Sequence, residues 1–213
     1  ATLRVATYLD DGISAPGDDV AAVVTAAAAA VAETGAPVRH ELPACVDRTL
    51  DLLWRSVFLG GDRGQGFEAD LAEIGVTDPS EELAEFLRQA RDVDFSLTDA
   101  RRRLADIDTY RIEMLSFMRD YDVIIGPAMP APAKPHHHGL VEIADFSHLM
   151  VHNLTGWPAV VVRCGTSEGG LPIGVQIAAR PWQDATALAV AAHLETVFGG
   201  WRPPPMAEAQ GAR

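Results

Sequence analysis

Residues 152–165 read His-Asn-Leu-Thr-Gly-Trp-Pro-Ala-Val-Val-Val-Arg-Cys-Gly. A Gly-Trp-Pro turn leads into a run of small and β-branched residues, which marks Ala159 to Arg163 as a buried strand. His152, Asn153 and Thr155 stand just ahead of it as side chains able to hydrogen-bond. Downstream, Gly165-Thr-Ser-Glu-Gly-Gly170 is a hairpin turn, so Ile173 to Ala178 should return antiparallel. A helix from Trp182 or Gln183 to Phe198 then closes the segment at Gly199-Gly200, and Pro203-Pro-Pro205 begins a tail.

The other end of the chain implies a parallel pair. Leu3 to Leu9 alternates β-formers and stops at the turn signal Asp10-Asp-Gly12. Asp18 or Asp19 caps a helix running to Glu33-Thr34, and Val38 to Leu42 is a second strand after Gly35 and Pro37. Strand, helix and strand within about forty residues form a βαβ unit, whose strands are parallel. Together with the hairpin this predicts an α/β fold with a mixed β-sheet flanked by helices.

Between these ends, Val46, Leu50, Leu53/Trp54 and Val57 recur at helical spacing. The glycine-rich Gly60 to Gly66 follows no strand and ends in no Gly-Lys-Ser/Thr, so it reads as a plain loop rather than a phosphate cradle. Pro79-Ser80 starts another helix. Ser96-Leu-Thr-Asp99 is a capping box opening the longest one, to about Arg119, with Leu104, Ile107, Leu115 and Met118 on one face and Met114, Phe117 and Met118 as core candidates. Asp122 to Ile125 is a short buried strand that Gly126-Pro127 should end. The prolines of Pro127 to Pro135 remove backbone donors and fix φ, which makes a stiff extended loop. Asp145 to Asn153 reads as a short helix. The chain is expected to be one domain, 1–213, with the proline-rich loop at 126–140 and a tail at 201–213.

With 30 acidic and 17 basic residues the net charge is −13. That charge opposes phosphate backbones and anionic membrane surfaces, so neither nucleic acid nor membrane is an expected partner. Cys45 and Cys164 match no metal or redox spacing and read as buried thiols in a reducing compartment, which places the protein in the cytoplasm. No apolar run is long enough for a membrane-spanning helix, and Ala1 to Tyr8 lacks the pattern of a signal peptide.

Seven histidines raise the possibility of a metal. His148 and His152, four apart on the short helix, have a workable zinc spacing, and the His136-His137-His138 tract could lend a third imidazole. Against this, Ser147 and Leu149 flank His148 where metalloprotease helices carry Glu, and three consecutive histidines cannot all point at one ion. No serine sits in a glycine-flanked nucleophile elbow. Ser80 and Ser96 are helix caps and Ser167 a hairpin tip. Ser147 and His148 are neighbours whose side chains should diverge on a helix. Cys164 beside Arg163 is a core thiol, because Arg163 lies on the opposite strand face.

Several stretches, in order, resemble the amidase signature enzymes, which hydrolyse carboxamides. They are Leu3-Arg-Val-Ala with its helix and Gly35-Ala-Pro-Val-Arg-His-Glu-Leu-Pro43, then Ser96-Leu-Thr-Asp-Ala-Arg, Tyr121-Asp-Val-Ile-Ile-Gly-Pro127 with its proline loop, Asn153-Leu-Thr-Gly-Trp-Pro-Ala159, and Gly170-Leu-Pro-Ile-Gly-Val-Gln176. The resemblance covers almost the whole chain and implies the C-terminal half of a layered α/β/α amidase fold. It also implies a Ser-Ser-Lys machinery in a Gly/Ser-rich region N-terminal to these residues, with no cofactor and no metal. No such region exists in the 213 residues, so no catalytic residue is assigned. The only lysine, Lys134, receives no base role. Gly126-Pro-Ala128 departs from relatives that carry Thr after the proline. The resemblance implies that Asn153, Thr155, Gly156, Trp157 and Ile173 line the pocket of a small-molecule amide substrate. The isolated chain is then expected to be inactive, and to self-associate or await a complementing N-terminal segment. A non-catalytic binding or scaffold protein derived from this fold, and a metal-dependent hydrolase using His148 and His152, stand as alternatives.

Overall fold

A computed structural model describes residues 2–135 and 140–203. The His136–His138 tract and residues 204–213 of the tail lie outside them. Five strands form one sheet in the order β2-β1-β3-β5-β4: β1 (Val5–Thr7), β2 (Val38–His40), β3 (Val123–Pro127), β4 (Ala159–Thr166) and β5 (Pro172–Ala179). β1 runs parallel to β2 and β3, whereas β5 is antiparallel to both β3 and β4. The expected mixed sheet is what forms. Every residue of β3 is buried, as its Val-Ile-Ile run demands of a strand covered on both faces. It extends through Gly126 and Pro127 rather than stopping at Ile125. Pro127 is tolerated there because it is the last residue paired with β5, opposite Val175.

Helices α1 (Asp18–Ala32) and α6 (Asp184–Phe198) cover one face with an aliphatic core that includes Val5, Val24, Ile125, Ile177 and Leu194. The other face packs on α4 (Leu97–Phe117), α5 (Ser147–Thr155) and the segment 44–58, through Tyr110, Met114, Met150, Leu154 and Trp157. The result is three layers, helix on sheet on helix. α1 starts after Gly17 with no side-chain cap, and Asp18 and Asp19 fall in its first turn instead, where they favour the helix dipole.

Other local expectations needed revision. The capping box of α4 is present, with Ser96 and Asp99 bonded reciprocally. Its buried face, however, is Ile107, Tyr110, Met114 and Met118, and Leu104 and Leu115 are exposed. The segment expected as one helix from Val46 to Leu59 divides into a tight 3-10 stretch, Ala44–Arg48, and a wide π-helical stretch, Asp51–Phe58. The amide of Leu59 donates to the carbonyl of Trp54, five residues back, at 2.8 Å. Leu52, Leu53 and Trp54 are buried and Val57 is exposed. Helix α2 (Gln65–Glu73) begins inside the glycine-rich loop and buries no residue, so it left no amphipathic signal. Helix α3 (Glu81–Arg91) is capped by Ser80.

The β4–β5 pairing shifts by one residue between Arg163 and Gly165. This bulge turns Cys164 inward, where it is buried. Gly165 lies against α1, where a Cβ would sit 2.3 Å from a methyl carbon of Val23. Both cysteines are free and buried.

Candidate functional site

The strand order turns outward from β1: the chain goes first to β2 on one side and later to β3 on the other. In open α/β sheets such a switch point leaves a crevice beyond the carboxyl ends of the two parallel strands, where ligands bind. Here that position is bordered by the loop after β1, the proline loop after β3 and the start of α5, which side-chain and backbone contacts join.

Asp11, only 1% exposed, organises it. Its Oδ1 accepts the amides of Ile13 and Ser14, each at 2.9 Å, which folds the loop into an Asx turn. Its Oδ2 accepts the hydroxyl of Ser147 and lies 3.5 Å from Nδ1 of His148. Nε2 of His148 is 2.9 Å from the carbonyl of Ser14, to which it can only donate. Tyr8 stacks on the His148 ring at 5.8 Å, and burial raises its phenol well above its ordinary range. From β5, Gln176 donates to the carbonyl of His148 at 3.1 Å. Gly126 is required beneath this stack, since a Cβ there would stand 2.9 Å from the Tyr8 ring.

A second chain of contacts closes the rim. Ser14 donates to Asp145 at 3.0 Å, and Lys134 pairs with both Asp145 and Glu142. The amide of Gly17 donates to the carbonyl of Pro130 at 2.8 Å, joining the loop after β1 to the proline loop.

Ser147 and His148 therefore do not diverge as helical neighbours should. Ser147 is the first residue of α5, so both side chains reach Asp11. They still form no nucleophile–base pair, because His148 uses Nε2 as a donor and the fully buried Ser147 hydroxyl donates to a carboxylate. The cluster is a rigid clasp that fixes three loop segments at the crevice. Asp11 was the residue missed from sequence, where Asp10-Asp-Gly12 reads only as a turn; its position after a βαβ strand was the available signal.

Among the described residues the histidine pair of α5 gains no third ligand; the His136–His138 tract, which could have lent one, lies outside them. Among the described residues no group of three or more His, Cys, Asp or Glu is placed to hold a metal ion. His152 is buried, its Nδ1, like that of His148, has no hydrogen-bond partner among the described residues, and burial pushes the His152 pKa down to about 4. Burial also pushes both thiols up, to about 11 for Cys45 and for Cys164.

The five expected pocket residues are not brought together. Thr155, Gly156 and Trp157 line one cleft of about 380 Å³ with Pro158, Pro181, Trp182 and Asp184. Asn153 is exposed beside it and does not line it. Ile173 belongs to the α1/α6 core, while Trp157 packs in the core on the opposite face of the sheet. Ile173 sits at the start of β5, next to the crevice end, and the cleft adjoins Ala179 at its finish. Six residues of strand separate these ends by roughly 20 Å.

One rim of that cleft is a turn in which the amide of Gln183 donates to the carbonyl of Arg180 at 3.0 Å. Pro181 and Trp182 are its central residues, and Trp182 has φ +65°. The second central position of such a turn suits glycine, and a bulky residue held there costs roughly 1–2 kcal/mol. Trp182 is nevertheless 93% exposed.

Among the described residues no helix is long and apolar enough to cross a membrane. The sequence profile of a family described as Amidase matches residues 1–188. The chain is 29% identical to the acylamidase of Rhodococcus erythropolis over 92% of its own length and 42% of that protein's. It is 43% identical over 82 residues to fatty-acid amide hydrolase 2-A of Danio rerio, covering 38% of this chain and 15% of that one. A structure of 6-aminohexanoate cyclic dimer hydrolase complexed with substrate superimposes with a TM-score of 0.77 at 22% identity, over 96% of this chain and 47% of that one. The chain spans less than half the length of each of these relatives.

Proposed function

This chain belongs to the amidase family, and on that premise we propose that it forms the C-terminal half of an enzyme that hydrolyses carboxamide C–N bonds through an acyl-enzyme. The observation that carries the reading is the match of the Amidase profile to residues 1–188, supported by the acylamidase of Rhodococcus erythropolis, which aligns with 92% of this chain but 42% of its own length. In this reading the chain supplies sheet strands and one wall of the substrate site, at the carboxyl ends of β1 and β3. The Asp11 clasp holds the loops of that wall at fixed positions, as catalysis by positioning requires. The nucleophile, its Ser-Lys partners and the oxyanion donors come from residues outside this chain. Ser147 is engaged with Asp11 and Lys134 is ion-paired, which fits neither with a nucleophile nor with a base. The substrate is a small-molecule amide, and no cofactor is needed.

The same reading proposes how the chain is completed. β4 is an edge strand whose Val161 is half exposed. Unpaired apolar edges recruit further strands, so the chain self-associates or accepts a complementing N-terminal segment. Two free, buried thiols are consistent with work in the reducing cytoplasm.

The test is turnover of aryl amides such as p-nitroacetanilide by the purified 213-residue chain, alone and joined to the sequence encoded upstream of it. Activity and serine-directed fluorophosphonate labelling are expected only for the joined form. Fluorophosphonate-sensitive turnover by the chain alone would overturn the assignment.

A further inference from the structure

The cleft between the Gly156-Trp157-Pro158 turn and the Pro181-Trp182 turn is explained neither by folding nor by the proposed chemistry. Trp182 occupies a turn position that favours glycine, and its indole gains no burial there. Strain of this kind persists where a site uses the side chain. Across the cleft lie Trp157 and Pro158, and Asp184, in the first turn of α6, is among the lining residues. Gly156, at φ +71°, ends α5 and turns the chain so that Trp157 and Pro158 form the facing wall.

We propose that this cleft is a binding site for an organic cation, an alkylammonium or guanidinium group, which Trp182 meets with its ring face and Asp184 with its charge. Tryptophan is the best aromatic partner for a cation, and it attracts guanidinium and quaternary ammonium groups alike. Asp184 supplies the opposite charge, and a net charge of −13 draws cations to the surface as a whole. The apolar prolines favour a cation carried on a carbon stem over an inorganic ion, whose hydration they could not replace. The cleft, at about 380 Å³, suits such a group. The proposal does not rest on amide hydrolysis, so the two can fail separately.

The experiment uses the ¹⁵N-labelled chain joined to the sequence encoded upstream of it and follows the indole NH signals, that of Trp182 being identified by its loss in Trp182→Gly. Choline and N-acetyl-arginine amide are the cationic probes, and 3,3-dimethylbutanol is the neutral isostere of choline. Choline is expected to shift the Trp182 signal and to bind about threefold more tightly than its isostere, a difference that cation–π attraction at an exposed indole sustains. Asp184→Asn should weaken binding severalfold. Trp182→Gly should abolish the response of the Trp157 signal while raising the melting temperature, because glycine relaxes the turn. A tighter response to N-acetyl-arginine amide would identify the source as an arginine side chain of a protein, and a tighter response to choline a small-molecule amine. Equal binding of the neutral isostere, an unshifted Trp182 signal, or unchanged affinity in Trp182→Gly would overturn the proposal. A lower melting temperature of that variant would do so too, by showing that the indole serves the fold.

Discussion

Replacing Asp11 with alanine isolates the clasp at the switch point. The carboxylate accepts two backbone amides at 2.9 Å and the Ser147 hydroxyl, and it faces Nδ1 of His148 at 3.5 Å. Alanine strands the two amides and the Ser147 hydroxyl. The Ser147 hydroxyl is fully buried and loses its only acceptor, which costs about 1–3 kcal/mol. Ile13 and Ser14 are partly exposed, so water recovers much of what their amides lose, and about 1 kcal/mol remains from the pair. The expected destabilisation is about 3 kcal/mol. For a chain of this size that lowers the melting temperature by roughly 6–12 °C. Asn, which keeps an acceptor for both amides and can meet Ser147 with its NH₂ group, should cost about 1 kcal/mol. Urea denaturation followed by circular dichroism measures both variants. In a double-mutant cycle, Asp11→Ala and Ser147→Ala should couple by about 1 kcal/mol or more, because removing either partner already breaks the same contact. If Asp11→Ala lies within about 0.5 kcal/mol of the parent, or if the two substitutions add, the clasp does not hold the crevice.

Gly126→Ala should destabilise by about 1–3 kcal/mol, since its methyl would stand 2.9 Å from the buried ring of Tyr8, and thermal denaturation reads this directly. His152 has a folded pKa near 4 against about 6.5 unfolded, so the unfolded state binds more protons between these values. Stability is therefore complete above about pH 6.5 and falls as the pH drops toward 4, by up to about 3 kcal/mol; His152→Leu should flatten that slope in urea titrations at pH 4.5 and 7. Both thiols, raised to about 11 by burial, should react with a disulfide reagent at pH 8 only at the rate of unfolding, which stopped-flow absorbance can compare with the rate for the denatured chain.

The sheet was legible because its signals are local. Alternating or continuous β-formers between Gly and Pro punctuation mark every strand, and the βαβ and hairpin connections dictate which pairs are parallel. Facing was less legible. On α4 the expected face of Leu104, Ile107, Leu115 and Met118 was half right: Ile107 and Met118 are buried with Tyr110 and Met114, and only the sheet behind the helix turns Leu104 and Leu115 outward. α2 carries no buried residue, so hydrophobic periodicity could not reveal it. The clasp was invisible for a different reason: Asp11 and Ser147 lie 136 residues apart and each has a sufficient local explanation, a turn and a helix. Trp157 and Ile173 look like partners because both border strands of one hairpin. An antiparallel strand nonetheless carries its two ends to opposite edges of the sheet, a separation that sequence proximity hides.

The bulge in β4 also bears on the register of its hairpin. A hairpin whose strands are rich in Val, Ile and Ala could pair in several registers of nearly equal energy. A one-residue slip would bring a side chain to the place of Gly165, where any Cβ meets Val23 at 2.3 Å. A side chain at this place would clash with α1, so docking of the helix favours the native register. Gly165 thus ties the register of the hairpin to a helix that lies more than a hundred residues away along the chain.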